Sequence, residues 1–416
     1  MKTPFIDIVA ASLALAITLP GYQEGEQGRG PIPNESASRQ VSTDVGFSKI
    51  GRFDPLMLKT EIDKFLSNHN LAGYAYAIFV DGQWVEAAGG QGGHIRKGID
   101  APAAPHSPLA RQEIASCSKY ITTLAMVRML DRAGLPLDTT IGAYLPAYMN
   151  AIASVRAITF RQLLAHHSGL VGGMNDINIT LAKMQQCVQT SNSAQFNTYQ
   201  YNNMNLALCR LLLPYVYWKE VMKLTPQTLA ESEINPSLLD NQLATLFLSF
   251  VRTDVFKAAG LSTWEELGAT DPGTTRPTLY YDTNLEGAAG VTVPPLSTIL
   301  NLGQGGFDLN AVELAQIASA ANDNKIVSKS LMKAIRTGYK NRPLGFNDFR
   351  SGAYGRYYFK YGNINWNVNG RRGGVATLLV DFDCSQAHVQ VAILSNDDEP
   401  DITNINWLQE AFDKSW

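Results

Sequence analysis

Ile114-Ala115-Ser116-Cys117-Ser118-Lys119-Tyr120-Ile121-Thr122 opens an almost wholly apolar run that continues to Leu130. A serine three residues before a lysine shares one face of a helix with it, less than a turn apart. If that helix is buried, the lysine is poorly hydrated. Its charged form is then disfavoured, and the amine acts as a base near neutral pH. A hydroxyl beside such an amine is an activated nucleophile. The same spacing recurs at Ser330-Leu331-Met332-Lys333, after the polar Asn322-Asp323-Asn324, and there it reads as a solvated helix face. Cys117 reads as a small packing residue turned away from Ser116, because neighbours on a helix point about 100° apart.

The chain around this stretch has 416 residues, 45% of them hydrophobic, and a net charge of −3. That is ample for a large core, divided into two lobes. Basic residues are not clustered, which argues against nucleic acid or a membrane surface as partner. There are no internal repeats and no zinc-like cysteine spacing. His166 and His167 are adjacent, which is poor ligand spacing, so they read as loop and packing residues and no metal or cofactor is expected. Among the four cysteines, a Cys187–Cys209 bridge and unpaired buried thiols are both open readings.

Lys2 is followed by an apolar run from Ile8 to Leu19, then Pro20 and Gly21. Residues 1–21 read as an export signal, too short to span a bilayer, with a disordered or surface-bound tail as the other reading. A periplasmic or secreted protein with no membrane span after signal removal is expected. Residues 22–50, rich in Gly, Pro, Ser and Gln, read as a linker. Asp54-Pro55 is a helix start, with Leu58, Ile62, Phe65 and Leu66 on one face. A hairpin follows, from Tyr74–Val80 through Asp81-Gly82 to Gln83–Ala88. Residues 108–265 read mainly as helix. The exceptions are a polar loop over 172–200 and a break at Pro236. Asp308 reads as the cap of a helix carrying Val312, Leu314 and Ile317. Strands return at Val375–Asp381 and Val389–Ser395, before a last helix with Ile405, Leu408 and Phe412. The fold expected is α/β (α+β). An antiparallel sheet from residues 51–107 and 270–416 is flanked by helices, an all-helical lobe of residues 108–269 is inserted, and the active site lies between the lobes.

Two further segments carry chemistry. Tyr201-Asn202-Asn203 precedes an apolar helix. A tyrosine beside a lysine relays protons, and Asn203 can donate to a substrate carbonyl and hold the lysine. The pattern also occurs at Tyr148-Met149-Asn150 and Tyr361-Gly362-Asn363, and in isolation a loop residue with a local Asx bond is the plainer reading of any one of the three. Gly370-Arg371-Arg372-Gly373-Gly374 lies before a strand. Glycines there allow close backbone approach, a strand-edge N–H can hold an oxyanion, and the arginines can grip a carboxylate. A basic turn on an exposed edge strand is the alternative.

Together, Ser116-Cys117-Ser118-Lys119, Tyr201-Asn202-Asn203 and the glycine-rich third segment resemble the serine β-lactamase and penicillin-binding superfamily. The closest likeness is to the branch of class C β-lactamases, D-alanyl-D-alanine peptidases and β-lactamase-like esterases. Ile158 to Leu170, Gly305-Gly306-Phe307 and Ile393 to Asp397 are similar to family segments as well, and the resemblance runs from about residue 51 onward. The family's third motif is lysine or histidine, a small or hydroxyl residue, then glycine. The register chosen here sets Arg371, Arg372 and Gly373 in those places, with Ser116 and Gly374 as oxyanion donors. Arginine stays protonated, and the hydroxyl that contacts a substrate carboxylate is missing.

The resemblance implies two-step acyl transfer without a metal. Ser116 is the nucleophile, Lys119 with Tyr201 takes its proton, Asn203, Arg371, Gly373 and Gly374 bind substrate, and water releases the acyl group. The expected substrate is a small ester, amide or peptide. A non-catalytic, penicillin-binding-like receptor is the alternative, motivated by the two arginines. A thiol hydrolase built on Cys117 and a histidine is a third reading.

Overall fold

The computed structural model describes residues 53–416, apart from 174–175, 177, 191–194, 234, 270–277, 284–286 and 293–298. The expected export signal and linker lie outside the described residues.

The first and last described strands meet in one antiparallel sheet. Strand β1 (Gly73–Val80) pairs with β11 (His388–Ser395), from Tyr74 opposite Ser395 to Val80 opposite Val389. On the far side of β1 lie β3 (Gly90–Arg96) and β4 (Ala104–Pro105). On the far side of β11 lie β10 (Arg371–Cys384), β9 (Gly355–Val368) and β8 (Asp348–Ser351). A small second sheet joins β5 (Gln112–Glu113), β7 (Phe307–Leu309) and β6 (Gly268–Ala269).

Both faces of the central strands are buried, so they read as continuous apolar runs with the alternation hidden. Tyr76, Ile78, Val80, Val391 and Ile393 face one core, covered by helices α1 (Pro55–Ser67) and, at the C-terminus, Ile405–Asp413. Ala77, Phe79, Ala392 and Leu394 face the larger core. That core holds helix α2 (Ser118–Arg132), the helices between it and residue 261, and Ala311–Asn322 packed across β1 and β11. Helix α1 starts as expected: Asp54 accepts from the N–H of Leu56 and of Met57, ahead of Pro55.

Several expectations are corrected. The return strand β2 is only Gln83–Trp84, and a 3-10 turn at Glu86–Ala88 interrupts it. Residues 172–200 contain a helix, Leu181–Thr190, whose Leu181, Met184, Cys187 and Val188 are buried under a polar outer face. Pro236 does not break a helix. It is the first residue of one, Pro236–Phe250, where its missing N–H costs nothing, and Asn235 caps it. Asn310, not Asp308, caps Ala311–Asn322, through a reciprocal capping box with Glu313. Residues 371–374 are not a loop. The tight turn is Asn369-Gly370, at φ +53° and +82°, and Arg371 already begins β10. All four cysteines are buried free thiols, so Cys187 and Cys209 are not bridged.

Candidate active site

A short 3-10 turn, Ala115–Cys117, leads into α2 and presents Ser116 at its start. Ala115 is held at φ +47°, a left-handed conformation that a residue with a Cβ adopts only when its surroundings enforce it. Ser116 is half-buried and Lys119, one turn on, is buried. Lys119 Nζ donates to Ser116 Oγ at 2.8 Å and to the Gln304 carbonyl at 2.5 Å. Tyr201 Oη donates to the same Ser116 Oγ at 2.9 Å. Three of the residues singled out in the sequence therefore converge on one oxygen.

Burial brings the Lys119 ammonium down to about 7, against smaller opposing pulls from Cys117 and Glu113. A neutral amine there can spend one N–H on Gln304 and offer its lone pair to the serine proton. A second buried lysine, Lys360 on β9, lies 5.0 Å from the centre of the Tyr201 ring, with Lys119 at 5.2 Å from the same centre. Burial lowers Lys360 too, with Lys119 adding to the effect and Tyr201 opposing it. His166 packs against Tyr201, ring centres 4.6 Å apart, and its Nδ1 accepts from Asn202 N–H and Asn205 Nδ2. Burial, with the two lysines nearby, holds that imidazole neutral. His167 Nδ1 is 2.9 Å from the Ala165 carbonyl.

Asn202 caps the helix Asn203–Ala207, accepting from Met204 N–H. Asn203 donates through Nδ2 to the Asp176 carbonyl, so it is tied to the neighbouring loop and makes no contact with Lys119; the lysine's second acceptor is Gln304 instead.

The expected third segment is not where the register placed it. Gly374 N–H donates to the Tyr281 carbonyl at 3.0 Å and is not an oxyanion donor. Gly373 abuts Tyr280 and Val291. Arg371 is exposed, and Arg372 reaches Asp282 and Asp398 at 3.4 and 3.5 Å. The strand against the nucleophile is β9, one step along the hairpin. A Cβ placed on Gly362 would stand 2.6 Å from Ser116 N and 2.8 Å from Ala115 Cβ, so only glycine permits this approach. Lys360-Tyr361-Gly362 thus occupies the place assigned to Arg371-Arg372-Gly373. Tyr361 N–H donates to Asn347 Oδ1, so it faces away from β10. Two residues on, Asn363 N–H faces the same way. β8 pairs only as far as Phe359, which leaves that edge uncovered by β8. The lysine, any residue, glycine pattern was the signal in the sequence. It was masked by a tyrosine where a small residue was sought, and by the richer glycine run downstream.

Cys117 points its Sγ at the Lys360 carbonyl, 3.4 Å away, and burial pushes its thiol up to about 12. It cannot serve as a thiolate nucleophile.

The Beta-lactamase family model matches residues 58–412, so the chain belongs to that family and is a serine hydrolase of the β-lactamase-related type. Penicillin-binding protein 4 of Amycolatopsis lactamdurans is 28% identical over 137 residues, which span 33% of this chain and 34% of that protein. The match therefore spans about a third of that relative's length. The class C β-lactamase from Rhodobacter sphaeroides superposes with a TM-score of 0.58 at 15% identity, covering 86% of this chain and 97% of that one. A D-alanine carboxypeptidase from Burkholderia cenocepacia gives 0.56 at 16% identity, covering 86% and 98%. At these identities the solved structures share the fold. No helix among the described residues is long and apolar enough to cross a membrane.

Proposed function

We propose that the protein is an exported hydrolase that cleaves a small ester or amide through an acyl-enzyme on Ser116. The observation that carries the reading is the convergence of Lys119 Nζ and Tyr201 Oη on Ser116 Oγ, at 2.8 and 2.9 Å. Neutral Lys119 takes the Ser116 proton as Oγ attacks the carbonyl carbon. The oxyanion is held by the N–H groups of Ser116 and Asn363, in place of the Ser116 and Gly374 pair expected from the sequence. Collapse breaks the C–O or C–N bond, and Tyr201 gives its proton to the leaving group. Lys119, protonated in the first step, returns a proton to Tyr201, and Lys360 stands beside the same ring. Water then attacks the acyl carbon with the same base, and Ser116 is regenerated.

Tyr361, 39% exposed beside Gly362, stands where the family carries a small or hydroxyl residue. A broad uncharged ring favours an apolar acyl or alkoxy group over a free carboxylate, and so favours an ester. The receptor alternative keeps only Arg371 as its motive, because Arg372 lies against Asp282 and Asp398 at 3.4 and 3.5 Å. Export rests on the apolar run Ile8 to Leu19 behind Lys2.

A hydrolysis screen with p-nitrophenyl esters, nitrocefin and D-amino acid amides tests the reading. Turnover of the esters, abolished in Ser116→Ala, is the expected result. Saturable binding with no turnover of any of the three would overturn it.

A further inference from the structure

Glu113 sits on β5, directly opposite Asp308 on β7, and is buried. Its Oε1 accepts two backbone N–H groups, from Ala115 at 3.1 Å and from Gly306 at 2.9 Å. Both belong to turns that carry site atoms. Ala115 is the left-handed residue just before Ser116. Gly306 ends the Gly303–Gly306 turn, whose Gln304 carbonyl holds Lys119 Nζ. One carboxyl oxygen therefore joins the turn that aims the nucleophile to the turn that anchors its base.

We propose that Glu113 is a positioning residue for acyl transfer, fixing the Ser116 turn and the Gln304 anchor of Lys119 relative to each other. The inference rests on the Ser116 reading above. The remaining oxygen, Oε2, has no hydrogen-bond partner among the described residues, and neither does Oδ1 of Asp308 across the ladder. Two ionised carboxylates left so would be costly, whereas neutral acids are tolerated. The groups facing Glu113 are Asp308 from β7, Lys119 from α2 and the Tyr280 hydroxyl, which accepts from Glu113 N–H; Arg111 and Glu313 act on Asp308 in turn. Burial takes Glu113 up to about 8, opposed by its two N–H bonds and by Lys119 and reinforced by Asp308. Below that pH it works as an uncharged acceptor. As a carboxylate it would hold the Lys119 proton more tightly and raise the pH at which the amine becomes free.

Two variants separate positioning from general structure. Glu113→Gln keeps an acceptor of the same reach without a charge. Glu113→Asp keeps the carboxyl but is one methylene short of spanning both N–H groups. With a p-nitrophenyl ester at pH 7, Glu113→Gln should hold kcat within about threefold of the unaltered protein. Glu113→Asp should lose about 10²-fold in kcat with KM little changed, the scale of loss for a displacement of about 1 Å in a reacting group. The acid limb of kcat/KM, set by Lys119, should lie at lower pH in Glu113→Gln than in the unaltered protein, because the carboxyl's upward pull on the ammonium is gone. Unchanged kcat in Glu113→Asp, or equal losses in both variants, would overturn the inference. If Glu113→Asp fails to fold by thermal melt, the pH profile decides, and an acid limb at the same or a higher pH in Glu113→Gln overturns it. Absence of turnover in the unaltered protein defeats the Ser116 reading and this inference together. Turnover with an indifferent Glu113→Asp defeats this inference alone.

Discussion

Lys119 owes its basicity to its place in the core. Burial takes its ammonium down from 10.5 to about 7, so the free amine that accepts the Ser116 proton is present above that pH and lost below it. The acid limb of a kcat/KM profile should therefore fall roughly tenfold per pH unit below about 7. A limb near 10 would mean that the lysine is hydrated. Ser116 and Lys119 were legible in the sequence because their spacing of three encodes proximity whatever the rest of the chain does. Tyr201 was legible only through the family pattern, since nothing local distinguishes it from Tyr148. Lys360 and Glu113 were not legible. Each is an ionisable residue whose burial depends on what packs over it from elsewhere in the chain, and a lone lysine or glutamate in a strand looks like a surface residue.

Strands and helices carry the next level of the account. β1 and β11 were readable because burial on both faces makes them unbroken apolar runs. β9 was not, since Arg356, Asn363, Asn365 and Asn367 interleave with its buried residues along a partly open edge. Missing β9 shifted the third motif by one strand. The two registers predict opposite mutants. Lys360→Ala should lower kcat by about 10²-fold or more, the usual weight of a group that assists proton transfer, while Arg372→Ala should leave it within about twofold. Steady-state kinetics on the two purified variants decides between them. The helical part is tied by a different charge. Arg210 is 1% exposed on the helix Cys209–Val216. It donates to Asp240 on Pro236–Phe250 and to the Ile179 carbonyl, and Asp240 also accepts from the N–H of Leu181. Removing one partner of such a pair strands the other, so Asp240→Ala should cost about 3–5 kcal/mol in urea unfolding, with ester turnover unchanged in what remains folded.

The described fold closes on itself through the pairing of β1 with β11, its first and last strands. Helix α1 and the helix Ile405–Asp413 pack together over one face, where Leu58, Ile62, Ile405, Leu408 and Phe412 cover Tyr76, Ile78, Leu378 and Ile393. Truncation after Asn404 strips that cover from one face of the central strands. The shortened chain should be recovered as aggregate, or melt well below the full-length protein, in size-exclusion and circular dichroism measurements. The sheet built from both ends was legible because both terminal apolar runs needed a partner and the middle of the chain read as helix. The small β5–β7–β6 sheet was not, since two- and three-residue strands leave no periodicity to read. Yet that sheet carries Glu113, and with it the link between the two turns at the site.

The central claim is that Ser116 is acylated because Lys119 removes its proton. Intact-mass and peptide-mapping spectra after exposure to a fluorophosphonate probe test this most directly. The account predicts one adduct per chain, on the peptide containing Ser116, absent in Ser116→Ala and formed at least about 10²-fold more slowly in Lys119→Ala. An unmodified protein, an adduct that survives Ser116→Ala, or a labelling rate indifferent to Lys119 would contradict it.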